Sequence, residues 1–356
     1  MEAKNQLFIH PTDSCTLNCS FCIYAGNHSD HAECAKLELD RGYASESMKS
    51  LIKGAQHTAF SGGGEPLLNV DAIIDSILLN ESKKYMITTG LGYSPTFLAD
   101  KLTKVDEACK KTNSLCVLRI SIDSFHGNLD FGSDVDEIIT WFIEKKWQRV
   151  RTCFIRGTVS EGKKLLKNLK KYCFRKHKFF VCKKINEFTY AFVISGKFFQ
   201  VILRPTIYPS VNEALKEAST LEYLDKLFQI DTEDIILGKP RSCRGCKGCD
   251  GWKDGLPNGL DVTVNARGDI YLYGAEVKCL GNIYNELIDY SLLNKRVRET
   301  SELVKIQSVG IRTIMEKILN DEVVGKKARE INYPFAIIRE CMKTNPEDIL
   351  RIISKI

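Results

Sequence analysis

Three cysteines on one short loop, Cys15, Cys19 and Cys22, are the residues of this sequence best suited to chemistry. They follow an apolar run, Leu7-Phe8-Ile9, that reads as a strand. Thiolates are soft ligands, and three of them on one tight loop can hold three irons of a cubane cluster. The fourth iron is then left without a protein ligand, and an open metal position is where a cluster reacts rather than only carries electrons. Half of a zinc site, or unconnected cysteines in a cysteine-rich chain, are the alternatives. A second feature is Gly62-Gly63-Gly64-Glu65-Pro66, directly after the strand-like His57-Thr58-Ala59-Phe60-Ser61. Glycines in that position let the backbone come close to a ligand and present its polar groups. A third is Cys243, Cys246 and Cys249, with Cys279 thirty residues later. Four thiolates in this spacing form a complete cluster or zinc set. The intervening glycines permit tight turns, and Arg244 and Lys247 offset negative cluster charge.

The cysteine loop, with the aromatic Phe21 between its last two thiols, resembles the signature loop of the radical S-adenosylmethionine (SAM) superfamily. The glycine loop, some forty residues further on, is similar to the family's "GGEP" loop. The resemblance implies a [4Fe–4S] cluster on Cys15, Cys19 and Cys22 whose open iron is chelated by SAM. One electron then splits the sulfonium, and the 5′-deoxyadenosyl radical abstracts a substrate hydrogen. It further implies SAM contacts from Phe21, Tyr24, Gly62, Gly63, Gly64, Glu65 and Pro66. Thr88, Thr89, Ser121 and Asp123 are expected at strand ends, where hydroxyl and carboxylate groups suit a ribose; loop capping is the plainer role for Ser121 and Asp123. Arg204, also at a strand end, can pair with the SAM carboxylate, with a substrate acid or in a structural ion pair. Residues 260–283, with a hairpin turn over Asn265 to Gly268 and a close on Leu280-Gly281-Asn282-Ile283, resemble the SPASM/twitch extension of this family. That extension houses auxiliary [4Fe–4S] clusters. Here Tyr273 stands where the family hairpin usually carries a cysteine, so Cys279 must substitute, and only Cys341 follows. One auxiliary cluster on Cys243, Cys246, Cys249 and Cys279 is expected, twitch-like rather than full SPASM, with structural zinc as the alternative.

The elements that must position these groups alternate regularly. Helical periodicity is read over Ser45 to Lys53, Val70 to Asn80, Pro95 to Lys110, Ser133 to Lys145 and Lys163 to His177. Strands are read at Tyr85 to Thr89, Leu115 to Ile122 and Arg149 to Ile155, and Phe199 to Leu203 is favoured as the sixth. Ser195-Gly196 between two apolar runs predicts a hairpin. Repeated strand–helix units imply an α/β fold, a parallel sheet whose active site lies at the carboxyl ends of its strands. The resemblance makes this a partial (β/α)6 TIM-type barrel over 5–210. A linker helix over 211–240, a cysteine-rich twitch/SPASM-like β-hairpin domain over 241–284 and a helical extension over 285–356, of two or three amphipathic helices, follow.

At 356 residues, with 44% hydrophobic and 27% charged residues, the chain suits one large domain plus an appendage. The N-terminus has no apolar h-region, so no signal peptide is expected, and no apolar run approaches bilayer length. With the first strand read almost at Met1, no N-terminal leader-binding domain is expected. A reducing cytoplasm is expected, where the 14 cysteines do not form disulfides. The net charge of +6 is uneven: Trp141 to Glu187 carries 15 Lys or Arg against three Glu, a balance of +12, so the remainder is −6. Such a run is usually a solvated helix face. It can also dock something acidic, such as a peptide, a phosphorylated metabolite or nucleic acid. No aromatic-interleaved RNA-binding motif is visible, which disfavours nucleic acid. His28, His31 and Cys34 fall in a polar loop and are weak ligand candidates.

Three functions remain open. The first is a maturase that oxidises, cross-links or epimerises a ribosomally made peptide. The second is a dehydrogenase or epimerase of a small molecule such as an amino-sugar. The third is a non-catalytic iron–sulfur or zinc module. An enzyme of the first two kinds needs an electron donor such as flavodoxin or ferredoxin. An epimerase also needs a hydrogen-atom donor, for which Cys153 or Cys34 are candidates, although a buried structural cysteine is the commoner role.

Overall fold

The computed structural model describes residues 5–17, 19, 22, 34–91, 93–131, 133–144, 147–176, 179–204, 224, 252–253, 256–257, 259–331 and 336–356. Strand β1 (Asn5–Ile9) leads through the cysteine loop to helix α1 (Ala44–Gly54) and strand β2 (Ala55–Phe60). Then follow α2 (Val70–Leu78), β3 (Lys84–Thr89), α3 (Pro95–Lys111), β4 (Leu115–Ser121), α4 (Ser133–Glu144), β5 (Val150–Thr158) and α5 (Gly162–Lys176). Capping sets several of these starts. Asn69 Oδ1 accepts from the Ala72 N–H ahead of α2, and Ser94 Oγ accepts from the Phe97 N–H while Pro95 opens α3.

Three strands follow α5: β6 (Phe180–Lys184), β7 (Thr189–Ile194) and β8 (Lys197–Arg204). β7 and β8 form the hairpin expected at Ser195-Gly196, where both residues have positive φ, 49° and 79°. β8 returns parallel to β5, with Cys153 opposite Phe199 and Thr158 opposite Arg204. β1, β2, β3, β4, β5 and β8 are thus neighbours in chain order and all parallel. Right-handed crossovers between strands taken in order put every connecting helix on one side of the sheet. Accordingly Leu7, Ile9, Phe60, Ile87, Leu118, Cys153, Ile155 and Val201 form one core with Leu51, Ile73, Leu98, Ile139 and Leu165 of α1 to α5. Successive strand residues face opposite ways. The other face therefore carries Phe8, Ala59, Thr88, Arg119, Phe154, Arg156 and Gln200, in register across the strands.

The chain beyond β8 departs from the sequence reading in two ways. After the short pair β9 (Trp252–Lys253) and β10 (Leu256–Pro257), the hairpin β11 (Asp261–Val264) and β12 (Asp269–Leu272) forms where expected. It joins the same sheet, because β11 lies parallel to β1 with Leu7 opposite Val262. With β13 (Gly281–Asn282) the sheet has 11 strands, β13 at one edge and β6 at the other. Hydrophobic periodicity finds strands but not their partners, so this pairing was not legible. Second, two or three C-terminal helices were expected, and six are present among the described residues. They are α6 (Tyr290–Arg298), α7 (Ser301–Val309), α8 (Ile311–Leu319), α9 (Gly325–Arg329), α10 (Ile337–Thr344) and α11 (Pro346–Lys355). Breaks at Gly310 (φ 85°) and Asn345 divide what periodicity reads as longer helices. Among the described residues no helix is long and apolar enough to cross a membrane.

Candidate active site

The cysteine and glycine loops leave adjacent parallel strands at their carboxyl ends and are clamped together. The Gly64 N–H donates to the Thr12 carbonyl at 2.7 Å, and the Glu65 N–H to the Ser14 carbonyl at 2.8 Å. Gly62 and Gly63 have φ of 79° and 66°, a region that favours glycine. A Cβ on Gly62 would stand 2.7 Å from His10 Nε2, and one on Gly63 would stand 2.7 Å from the Thr12 carbonyl oxygen. The glycines therefore serve the approach of the chain to itself, fixing the stem from which Cys15 projects.

Cys15, Cys19 and Cys22 sit on this stem, and the Cys22 N–H donates to the Cys19 carbonyl at 2.9 Å. Burial, helped by charge on neighbouring cysteines, pushes the Cys15 thiol up to about 11 and the Cys19 thiol up to about 12. Asp123 adds to the shift at Cys19, so the end of β4 lies close to the cysteine loop. Among the described residues no three His, Cys, Asp or Glu side chains close round a single ion. The three thiols are near enough to feel one another's charge. Phe21 and Tyr24 lie outside the described residues, as do Cys243, Cys246 and Cys249. Cys279 is exposed beside β13, with its Sγ 3.3 Å from the Gly281 carbonyl oxygen.

The remaining expected residues divide between lining the site and building it. Glu65 is buried and braces the loops: Oε1 accepts from the Leu67 N–H at 3.3 Å and Oε2 from the Gly90 N–H at 3.1 Å. Burial raises its carboxyl to about 7, against the pull of those two N–H groups. Pro66 opens a short helical turn, Pro66–Asn69. Thr88 accepts from Arg119 Nε at 2.9 Å, and the Thr89 hydroxyl accepts from the Leu91 N–H at 3.0 Å. Ser121 is buried, its carbonyl accepting from Asn128 Nδ2 at 2.9 Å. Asp123 holds its own loop, accepting from the His126 N–H at 2.9 Å and lying 2.8 Å from His126 Nδ1. These contacts tie Asp123 to the turn after β4. The Arg204 side chain is outside the described residues. Cys153 is fully buried in the core on the helix side of the sheet, while its neighbours Phe154 and Arg156 face the other way. A hydrogen-donor role does not fit that position.

Several residues at this end of the sheet were not anticipated from the sequence. His126 and Leu17 converge on Gly90, where a Cβ would stand 2.6 Å from each. Asn128 ties β3 to β4, donating to the Gly90 carbonyl at 3.2 Å while its Oδ1 accepts from the Asp123 N–H at 3.0 Å. His10, at the end of β1, is 4% exposed; burial, with a further push from the Arg339 guanidinium, lowers its pKa to about 3. Arg339 belongs to α10 and lies 3.6 Å from Glu276, so the C-terminal helices reach the sheet end that bears the cysteine loop. Tyr273 stacks on Phe8 with ring centroids 3.9 Å apart. On the face opposite α1 to α5, Arg156 Nε and Gln200 Oε1 are buried without a hydrogen-bond partner among the described residues. Phe154 lies opposite Gln200 and Arg156 opposite Ile202, which makes Arg156 and Gln200 diagonal neighbours. Only three-dimensional pairing assembles these groups.

In comparisons with known proteins, no family model matches the chain and no curated protein matches it.

Proposed function

We propose that the chain is a radical-SAM oxidoreductase acting on a peptide, with a partial (β/α)6 barrel whose open side is extended by a twitch-like hairpin. One observation carries the reading. The cysteine loop and the glycine loop, far apart in sequence, are hydrogen-bonded together at the carboxyl ends of neighbouring parallel strands. Cys15, Cys19 and Cys22 would hold a [4Fe–4S] cluster, and Cys243, Cys246, Cys249 and Cys279 an auxiliary one. When bound, the first cluster together with SAM supplies a 5′-deoxyadenosyl radical that removes one hydrogen atom from the substrate.

The chain's own residues do the positioning. Gly64 and Glu65 fix the cysteine loop through their N–H groups, and Asn128 holds the ends of β3 and β4 at a set separation. His10, kept neutral by burial, and Arg339 close the end of β1 against water. Arg156 Nε and Gln200 Oε1, a donor and an acceptor on adjacent strands without a partner among the described residues, are open to a ligand that both accepts and donates. A buried polar atom without a partner costs stability, and a ligand that completes the pair would relieve that cost. Oxidation, cross-linking and epimerisation of that peptide are the reactions open to the site, with flavodoxin or ferredoxin as electron donor.

The test is iron, sulfide and 5′-deoxyadenosine on anaerobically reconstituted protein, with and without Cys15→Ala, Cys19→Ala and Cys22→Ala combined. The expected result is 5′-deoxyadenosine from the parent only, with about four irons kept by the triple variant. A parent protein that loads iron yet makes no 5′-deoxyadenosine under reducing conditions would sink the proposal. A triple variant without iron would remove the auxiliary cluster from it.

A further inference from the structure

A strongly basic surface lies at the opposite edge of the sheet from the C-terminal hairpin. α5 buries Leu165, Leu169, Tyr172 and Cys173 and turns Lys163, Lys167, Lys170 and Lys171 outward on one face. These lysines, with Phe174 and with Tyr190 of β7, line an open groove of about 770 Å³. Lys164 and Arg175 have carboxylate partners, Asp130 at 2.7 Å and Asp136 at 3.0 Å. Lys163, Lys167, Lys170 and Lys171 form no ion pair among the described residues. Beside this face runs β6, the last strand of the sheet, which pairs only with β7 among the described residues. Phe174 of α5 meets Phe180 of β6 edge-on at 4.9 Å, which sets the helix against the strand.

Charge alone would describe a solvated helix. Two further features ask for more. Large apolar side chains stand in water at this edge: Phe179 is 85% exposed, Phe174 77% and Val181 63%. The side chains of β6 also sort by face. Phe180 and Cys182 turn toward α5, where Cys182 feels Lys170 and Cys173. Val181 turns the other way and stands in register with Val193 and Phe198, all three exposed. A strand added to β6 would present alternate side chains to a lysine-lined face and to an apolar row.

We propose that the β6 edge and the adjoining face of α5 dock an extended acidic peptide by strand addition. Its acidic residues meet Lys163, Lys167, Lys170 and Lys171, and its intervening apolar residues meet Val181, Val193 and Phe198. Main-chain hydrogen bonds along β6 supply affinity, and the two unlike faces supply selection. Lys183 and Lys184 of β6 deter indiscriminate pairing with other edges, while the same charges admit an acidic strand. Aromatic and basic groups together also suit single-stranded nucleic acid, but an open strand backbone has no use in stacking bases. The docking is a binding event, separate from the radical chemistry proposed above, and is read without turnover.

The probe is a fluorescein-labelled decapeptide of alternating Glu and Val, titrated by fluorescence anisotropy against the full chain. The comparison ligands are its Lys-for-Glu counterpart, the same peptide N-methylated at alternate residues, and a single-stranded oligouridylate. The acidic peptide should bind, and the Lys peptide should not. N-methylation should abolish binding, because it removes strand hydrogen bonds without touching the protein. The pair Lys167→Glu and Lys171→Glu should weaken binding about tenfold, as two attractions become repulsions. Hydrogen exchange over residues 180–184 should slow when the peptide binds. Equal binding of the N-methylated peptide, or unchanged exchange over 180–184, would overturn strand addition. Tighter binding of the oligouridylate would overturn the choice of partner.

Discussion

Gly64→Ala tests whether the contact between the two loops holds the site together. A Cβ at Gly64 would stand 2.7 Å from the Asp13 carbonyl carbon and closer still to the Ser14 carbonyl. All of these are backbone atoms, so no side chain can swing aside, and the loops must part. Parting breaks the Gly64 N–H to Thr12 and Glu65 N–H to Ser14 hydrogen bonds. Two buried donors left without acceptors cost roughly 1–3 kcal/mol each, so the variant should lose about 2–6 kcal/mol. The matched control is Gly127→Ala. Gly127 has φ of 70° but nothing within 4 Å of its added Cβ, so only backbone strain of roughly 1–2 kcal/mol is expected. Urea unfolding gives the stabilities, and iron per chain after anaerobic reconstitution reports whether the cysteine loop keeps its shape. Gly64→Ala should lose both stability and iron; Gly127→Ala should keep its iron. A Gly64→Ala protein as stable as Gly127→Ala, with full iron, would refute the idea that this contact sets the cysteine loop.

His10 and Glu65 should tilt the pH dependence of stability in opposite directions. The folded His10 pKa is depressed to about 3, so its contribution is present above the unfolded value of 6.5 and is lost below it, at about 1.4 kcal/mol per pH unit. The folded Glu65 pKa is raised to about 7, so its contribution is present below 4.5 and is lost as pH rises through 7. Between pH 6.5 and 5, His10→Gln should therefore remove a loss on acidification, whereas Glu65→Gln should remove a gain. Urea midpoints at several pH values measure this, and two variants whose slopes shift the same way contradict the burial argument. Gln200→Met replaces a buried amide, whose Oε1 has no partner among the described residues, by an apolar side chain of similar size. It should raise the unfolding free energy by about 1 kcal/mol in the absence of substrate, and a loss instead would mean that the amide is satisfied within the fold.

Much of the parallel sheet was legible, because its strands and helices alternate with distinct hydrophobic periods and clear caps. Ser94-Pro95 marks the start of α3, and Ser195-Gly196 the turn into β8. The cysteine and glycine loops were visible as motifs, but their closest partners were not. Gly62 to Gly64 read as a surface for a ligand, and in the structure they press on Thr12, Asp13 and Ser14. Motif spacing reports that two segments are special without reporting that they touch. Asp123 shows the same limit: its type and place at a strand end suit a ribose, whereas its hydrogen bonds go to His126. The pairing of β11 with β1 and the reach of Arg339 to His10 are long-range events that local pattern does not encode.

What the sequence did not show is concentrated at one end of the sheet, and this distribution bears on function. A buried histidine held neutral, a buried carboxyl raised to about 7 and a non-glycine residue, Leu91, at φ 67° all lie just beyond the ends of β1, β2 and β3. Arg156 and Gln200, each with a buried polar atom lacking a partner among the described residues, sit on β5 and β8 in the same sheet. Each is a local cost, and not every such cost lies at this end: Tyr85 Oη, in the core on the helix side, and Asp136 Oδ1 are also buried without a partner among the described residues. His10, Glu65 and Leu91 are the ones gathered where β1, β2 and β3 release their loops, the place where a site under functional constraint accumulates costs. The cysteine loop stands among them, which gives the chemistry proposed for Cys15, Cys19 and Cys22 a structural setting independent of their spacing.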